Sequence, residues 1–101
     1  MTFEEEISQT LSQLATKRHK ETEKMDNYHG IISNLLYRLQ QRGHSIHLER
    51  DDVQFPNMWT VSIDGYKSFV NGRDLLAAEN ANQELALAAQ DLINKGLKVY
   101  L

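Results

Sequence analysis

Apolar residues return along the first forty positions at alternating steps of four and three. Ile7, Leu11, Leu14, Arg18, Glu21, Met25, Tyr28, Ile32, Leu35 and Leu39 form one seam, interrupted only by Arg18 and Glu21. This is the heptad signature of a helix that lays one narrow stripe against another helix. Both ends are marked. Thr2 and Glu5 have capping-box spacing, and Glu4, Glu5 and Glu6 stand where the helix dipole favours negative charge. At the other end Arg42 is followed by Gly43, which suits a left-handed cap. The pattern predicts a helix over 3–42, close to ~60 Å long at ~1.5 Å per residue. Thr16 to Asn27 is almost wholly polar. It reads either as a solvated face with short-range ion pairs, such as Arg18 with Glu21, or as a break that makes a helical hairpin. The stretch has no Gly or Pro and the seam keeps its phase across it, which favours continuity.

The period then changes to two. His44 to Arg50 alternates, with Ile46 and Leu48 on one face and Ser45, His47 and Glu49 on the other. A loop with Pro56 follows, and Met58 to Ile63 alternates again with Trp59, Val61 and Ile63 inward. Asp64-Gly65 marks a tight turn. A two-residue turn there sets Ile63 opposite Tyr66, Val61 opposite Ser68 and Trp59 opposite Val70, and leaves Phe69 on the other face; a longer loop would shift the register by one and move Phe69 inward. Asn71 or Asp74 caps a second helix, with Leu75, Ala78, Leu85, Ala89 and Leu92 as its inner stripe, Asn82 as a polar interruption and Gly96 as its stop. Leu97, Val99 and Leu101 alternate, and the spacing suits either a short final strand or a packed tail. The expected fold is α+β in the order α-β-β-β-α, a three-stranded antiparallel sheet with both helices on its apolar face.

The chain has 101 residues, a length for one domain over 1–101: a heptad-bearing helix over 1–42, then sheet and second helix over 43–101. Strands of this size span only ~20 Å. The first helix therefore outruns the sheet, and its N-terminal half is expected to meet a second copy, most simply in a two-fold dimer. With no cysteine, disulfides and thiolate chemistry are excluded. The start is acidic, unlike a targeting segment, and no apolar run approaches the ~18 residues of a membrane span. A soluble cytoplasmic protein is the expectation.

No motif names a chemistry. His44, His47, Glu49, Asp51 and Asp52 resemble a metal cluster only until the strand is considered: residues three apart point to opposite faces. His19 and His29 are too far apart on one helix to share a ligand. Paired carboxylates occur at Glu4–Glu6 and Asp51-Asp52, explained by capping and by a turn. No glycine-rich phosphate loop or strained nucleophile elbow is present. Neither catalytic residues, cofactor nor metal are expected, and the chain reads as a non-enzyme. Trp59 falls in phase with core positions, while Tyr37 lies off the seam as a candidate surface contact.

The α-β-β-β-α order resembles that of the double-stranded-RNA-binding domain. That resemblance implies phosphate contacts from a lysine cluster at the start of the second helix, where this chain reads Arg73-Asp74-Leu75-Leu76-Ala77-Ala78-Glu79, one base and two acids. Net charge is −3, and no segment is strongly basic. The leading expectation is a small protein-binding module, an adaptor, regulator or inhibitor. It self-associates through Ile7, Leu11, Leu14, Met25, Tyr28, Ile32, Leu35 and Leu39, with the polar outer sheet face (Ser45, His47, Thr60, Ser62) as a further contact. The alternative is a nucleic-acid-binding regulator in which a dimer doubles the Lys17, Arg18, Lys20 and Lys24 cluster into a basic patch.

Overall fold

Thr2 caps the first helix as its spacing predicts, its Oγ1 accepting the Glu5 N–H at 3.3 Å. In the computed structural model, which describes residues 2–101, α1 then runs unbroken from Phe3 to Gln41. Gly43 ends it in the left-handed region (φ 92°), and the N–H groups of Gly43 and His44 return to the carbonyls of Gln40 and Leu39. The polar stretch 16–27 is helical throughout, so the hairpin alternative falls. Its ion pairs differ from those expected: Lys17 reaches Glu21 at 3.8 Å and His19 lies 2.9 Å from Glu23.

Three antiparallel strands follow in the spatial order β1-β2-β3: β1 (Ile46–Asp51), β2 (Met58–Ile63) and β3 (Tyr66–Asn71). Asp64 (φ 52°) and Gly65 (φ 88°) make the two-residue turn whose twist suits a hairpin. Ile63 therefore faces Tyr66, Val61 faces Ser68 and Trp59 faces Val70, with Phe69 turned to the solvent side. All helices lie on the other face, α1 along β1 and α3 along β3. Trp59, Val61, Val70, Tyr28, Met25 and Ile32 are fully buried between the layers. Burying each such side chain contributes about 1.5–3 kcal/mol.

The C-terminal helical segment departs from the expected single helix. It is two helices, α2 (Gly72–Asn80) and α3 (Leu85–Lys98). Asn71 caps α2 by accepting the Arg73 N–H at 2.9 Å. Asn82, expected only as a polar interruption, takes a positive φ of 57° and lets the chain turn. The break resets the phase, so Ile93 joins Ala89 as a buried position and Leu92 is only partly covered. Gly96 is not a stop either. The helix continues through it because α3 packs tightly on β3 there: a Cβ at Gly96 would lie 2.0 Å from Ser68 Oγ. Ser68 uses that closeness to donate to the Ile93 carbonyl at 2.9 Å.

The alternating tail forms no strand. After Lys98 it turns, and Tyr100 packs edge-on to Tyr66 with ring centroids 5.0 Å apart. The Tyr100 hydroxyl accepts the Lys67 N–H and donates to the Lys67 carbonyl, both at 3.2 Å. The resulting element order, α-β-β-β-α-α, moves away from the double-stranded-RNA-binding arrangement. The body is elongated by α1: its extents are 61 × 26 × 23 Å, and its radius of gyration is 17.3 Å. A compact chain of this length would have roughly 13 Å.

Candidate interaction surface

The seam of α1 divides at the point where the helix leaves the core. Met25, Tyr28, Ile32 and Leu35 are buried against this chain's own sheet and α3, and Leu39 is partly buried beside them. A second copy therefore has no access to these four, and the expected self-association surface loses them to the internal core. Every described residue up to Lys20 is exposed, and Ile7, Leu11 and Leu14 stand 42 %, 59 % and 50 % open to solvent. Phe3, one turn before Ile7, is 72 % exposed. Four large apolar side chains on one strip of a projecting helix are unusual for a surface that meets only water.

A shoulder marks the boundary between the two halves. The β1–β2 loop folds towards α1 and leaves a groove of about 350 Å³ whose helix wall carries Arg18, Glu21 and Met25 and whose loop wall carries Val53, Phe55 and Asn57. A polar network fixes that loop. Arg50 pairs with Asp26 at 2.8 Å, donates from Nε to Asn57 Oδ1 at 3.0 Å, and lies 5.9 Å from the centre of the Trp59 ring. Asn57 in turn donates to the Gln54 carbonyl at 2.8 Å, and its N–H reaches Met25 Sδ at 3.2 Å. The Trp59 indole N–H donates to His29 Nδ1 at 3.0 Å, which requires a lone pair on that nitrogen and the His29 proton on Nε2. Sequence reasoning passed over Arg50 and His29. Arg50 shares the phase of Ile46 and Leu48, so the strand alternation already aimed it inward. His29 sits next to a seam residue, and only the folded partner reveals its role.

A second link ties α1 to α2. The buried Tyr28 hydroxyl donates to Glu79, and Lys24 lies 3.7 Å from the same carboxylate. Burial, and then the bond to Glu79 and its charge, push the Tyr28 phenol well above the usual tyrosine range.

At the opposite end, Leu39, Ile63 and Leu97 line an apolar cleft of about 390 Å³ between α1 and α3, rimmed by Arg38 and Arg42. Beside it His44 Nδ1 lies 2.6 Å from Asp64, whose other oxygen accepts the Ser45 N–H at 2.8 Å. The bond to His44, and then the Ser45 N–H, hold the Asp64 carboxyl below its ordinary value. Ser45 is thus engaged at the turn, while His47, Thr60 and Ser62 lie on the outer sheet face with the exposed Phe69. Tyr37 is exposed as expected.

The four basic residues do not make a clean patch. Lys17 and Lys24 each face a carboxylate, Arg18 turns into the shoulder groove, and Glu21, Glu23 and Asp26 are interspersed among them. His47 pairs with Glu49 at 3.1 Å, and among the described residues no three histidine or acidic side chains converge as a metal site would require. Among the described residues no helix is long and apolar enough to cross a membrane. No family model matches the chain, and neither does any curated protein or solved structure.

Proposed function

We propose that this chain is a non-enzymatic interaction module that self-associates through the projecting half of α1 and acts by occupying the surface of a macromolecular partner, as an adaptor, regulator or inhibitor does. One observation carries the reading: Ile7, Leu11 and Leu14 keep heptad spacing on a helix segment whose described residues are all exposed. A seam of this kind gains by meeting a matching seam, and a second copy supplies one by construction. Three half-covered aliphatic residues per copy bury little area. Against the entropy lost on association, the dimer is expected to be weak, with a dissociation constant on the order of micromolar.

Sedimentation velocity over a concentration series tests the reading. The expected result is a monomer–dimer equilibrium that the Leu11→Asp, Leu14→Asp double variant abolishes without changing the circular dichroism spectrum. A wild-type chain that stays monomeric at tens of micromolar overturns it.

A further inference from the structure

We propose that two copies pair antiparallel, each seating the first turn of its α1 in the shoulder groove of the other. The proposal rests on the self-association reading above and adds orientation, register and a receptor site to it. Continuity is the first argument. The seam runs from Ile7, Leu11 and Leu14 directly into Arg18, Glu21 and Met25, and those three form the helix wall of the groove. A helix laid along the bare half of the seam therefore has that groove at the inner end of its track. If it runs antiparallel with Leu11 beside Leu14 of the other copy, Ile7 lies beside Arg18 and the first turn arrives at the groove.

Charge is the second argument. The arriving turn holds Glu4, Glu5 and Glu6, and the receiving stretch holds Lys17, Arg18 and Lys20. Of the three acids that line the groove, Glu21 is engaged with Lys17 and Asp26 with Arg50, which leaves Asp52 on the loop side. Phe3, otherwise bare, comes up against the exposed Val53 and Phe55, and the groove has room for one aromatic ring. A parallel pair reverses each of these gains. It stacks Glu4–Glu6 on their own copies and Arg18 on Arg18, brings the two folded bodies together at one end, and leaves the groove without an occupant.

The absence of cysteine allows single cysteines to be introduced for spin labels. Glu5→Cys and Ser12→Cys both sit on the outer face of the helix, opposite the seam. The labels lie across the full width of the helix pair in either arrangement. In the antiparallel register the two Ser12 labels of a dimer are level with each other, and the two Glu5 labels are further offset by about 22 Å along the axis. A parallel pair sets both sets of labels level, at similar distances. Double electron–electron resonance on the dimer separates these outcomes. A Glu5 distance clearly longer than the Ser12 distance supports the proposal. Equal distances overturn it and leave self-association standing, whereas absence of any dimer overturns both. Arg18→Glu provides an arm that needs no label. It weakens the antiparallel dimer about tenfold, because repulsion from the Glu4–Glu6 turn replaces attraction at two symmetric sites. An unchanged dissociation constant in this variant, with wild-type helicity, overturns the antiparallel arrangement.

Discussion

The two halves of α1 carry one heptad pattern and differ in what covers it. From Met25 onward the seam lies against the sheet and α3; before Lys20 it meets only solvent. The pattern itself is silent about this. Spacing dictates that a stripe will be buried against something helix-sized, and the reach of the remaining sixty residues dictates how much of it this chain covers itself. Three short strands and two short helices cover about half of a helix of 39 residues.

Truncating one seam residue in each half breaks this comparison if it is wrong. Ile32→Ala is expected to cost about 2–5 kcal/mol in urea unfolding, because it opens a cavity in the two-layer core. Leu11→Ala is expected to stay within about 0.5 kcal/mol when measured on dilute monomer. Equal losses would mean that the projecting half is packed within the monomer. The two helical glycines sharpen the contrast further. A Cβ at Gly30 meets nothing within 4 Å, so Gly30→Ala gains up to about 1 kcal/mol from helix propensity. A Cβ at Gly96 meets Ser68, so Gly96→Ala loses about 1–3 kcal/mol despite the same propensity gain. Thermal melts read both, and a stabilised Gly96→Ala would show that α3 does not press on β3.

Tyr28 is the polar counterpart of this core. Tyr28→Phe is expected to cost about 1–2 kcal/mol, since its acceptor Glu79 keeps access to water. The raised folded-state value gives the sign with pH. This contribution is complete below the ordinary tyrosine value of about 10 and is lost as pH rises above it. The wild-type advantage over Tyr28→Phe should therefore shrink in alkaline unfolding titrations. The smallest effect belongs to Asp64, at the far end of the molecule from the projecting half of the seam. Its folded-state value is depressed, so its contribution is present above the ordinary aspartate value of about 4 and is lost as pH falls through the depressed one. The stability difference between wild type and Asp64→Asn should close in acid; a difference that persists there would show that His44 and Ser45 do not hold the carboxylate.

Much of this architecture was legible because it rests on local chemistry. Thr2, Gly43, Asp64-Gly65 and Asn71 act within a few residues of themselves, and their turns and caps follow from backbone preference. The β2–β3 register followed from the same turn. What escaped the sequence depends on distant partners. Gly96 reads as a stop until Ser68 is placed beneath it, and the Leu97–Leu101 alternation suits a strand as well as a packed tail until Tyr100 is seen reaching across to Lys67. The shoulder groove was invisible because its two walls lie some thirty residues apart, joined by Arg50 to Asp26 and by Asn57 to Met25.

Tyr100 has one more consequence. A terminal strand of a small sheet offers its backbone to any passing chain, and such open borders seed fibrils. Here a single phenol occupies both the amide and the carbonyl of Lys67, plugging the middle of that border with a side chain. Across the sheet the opposite border carries Glu49 and Asp51, charges that repel a flat neighbour. Strand-by-strand growth is thus discouraged on both flanks.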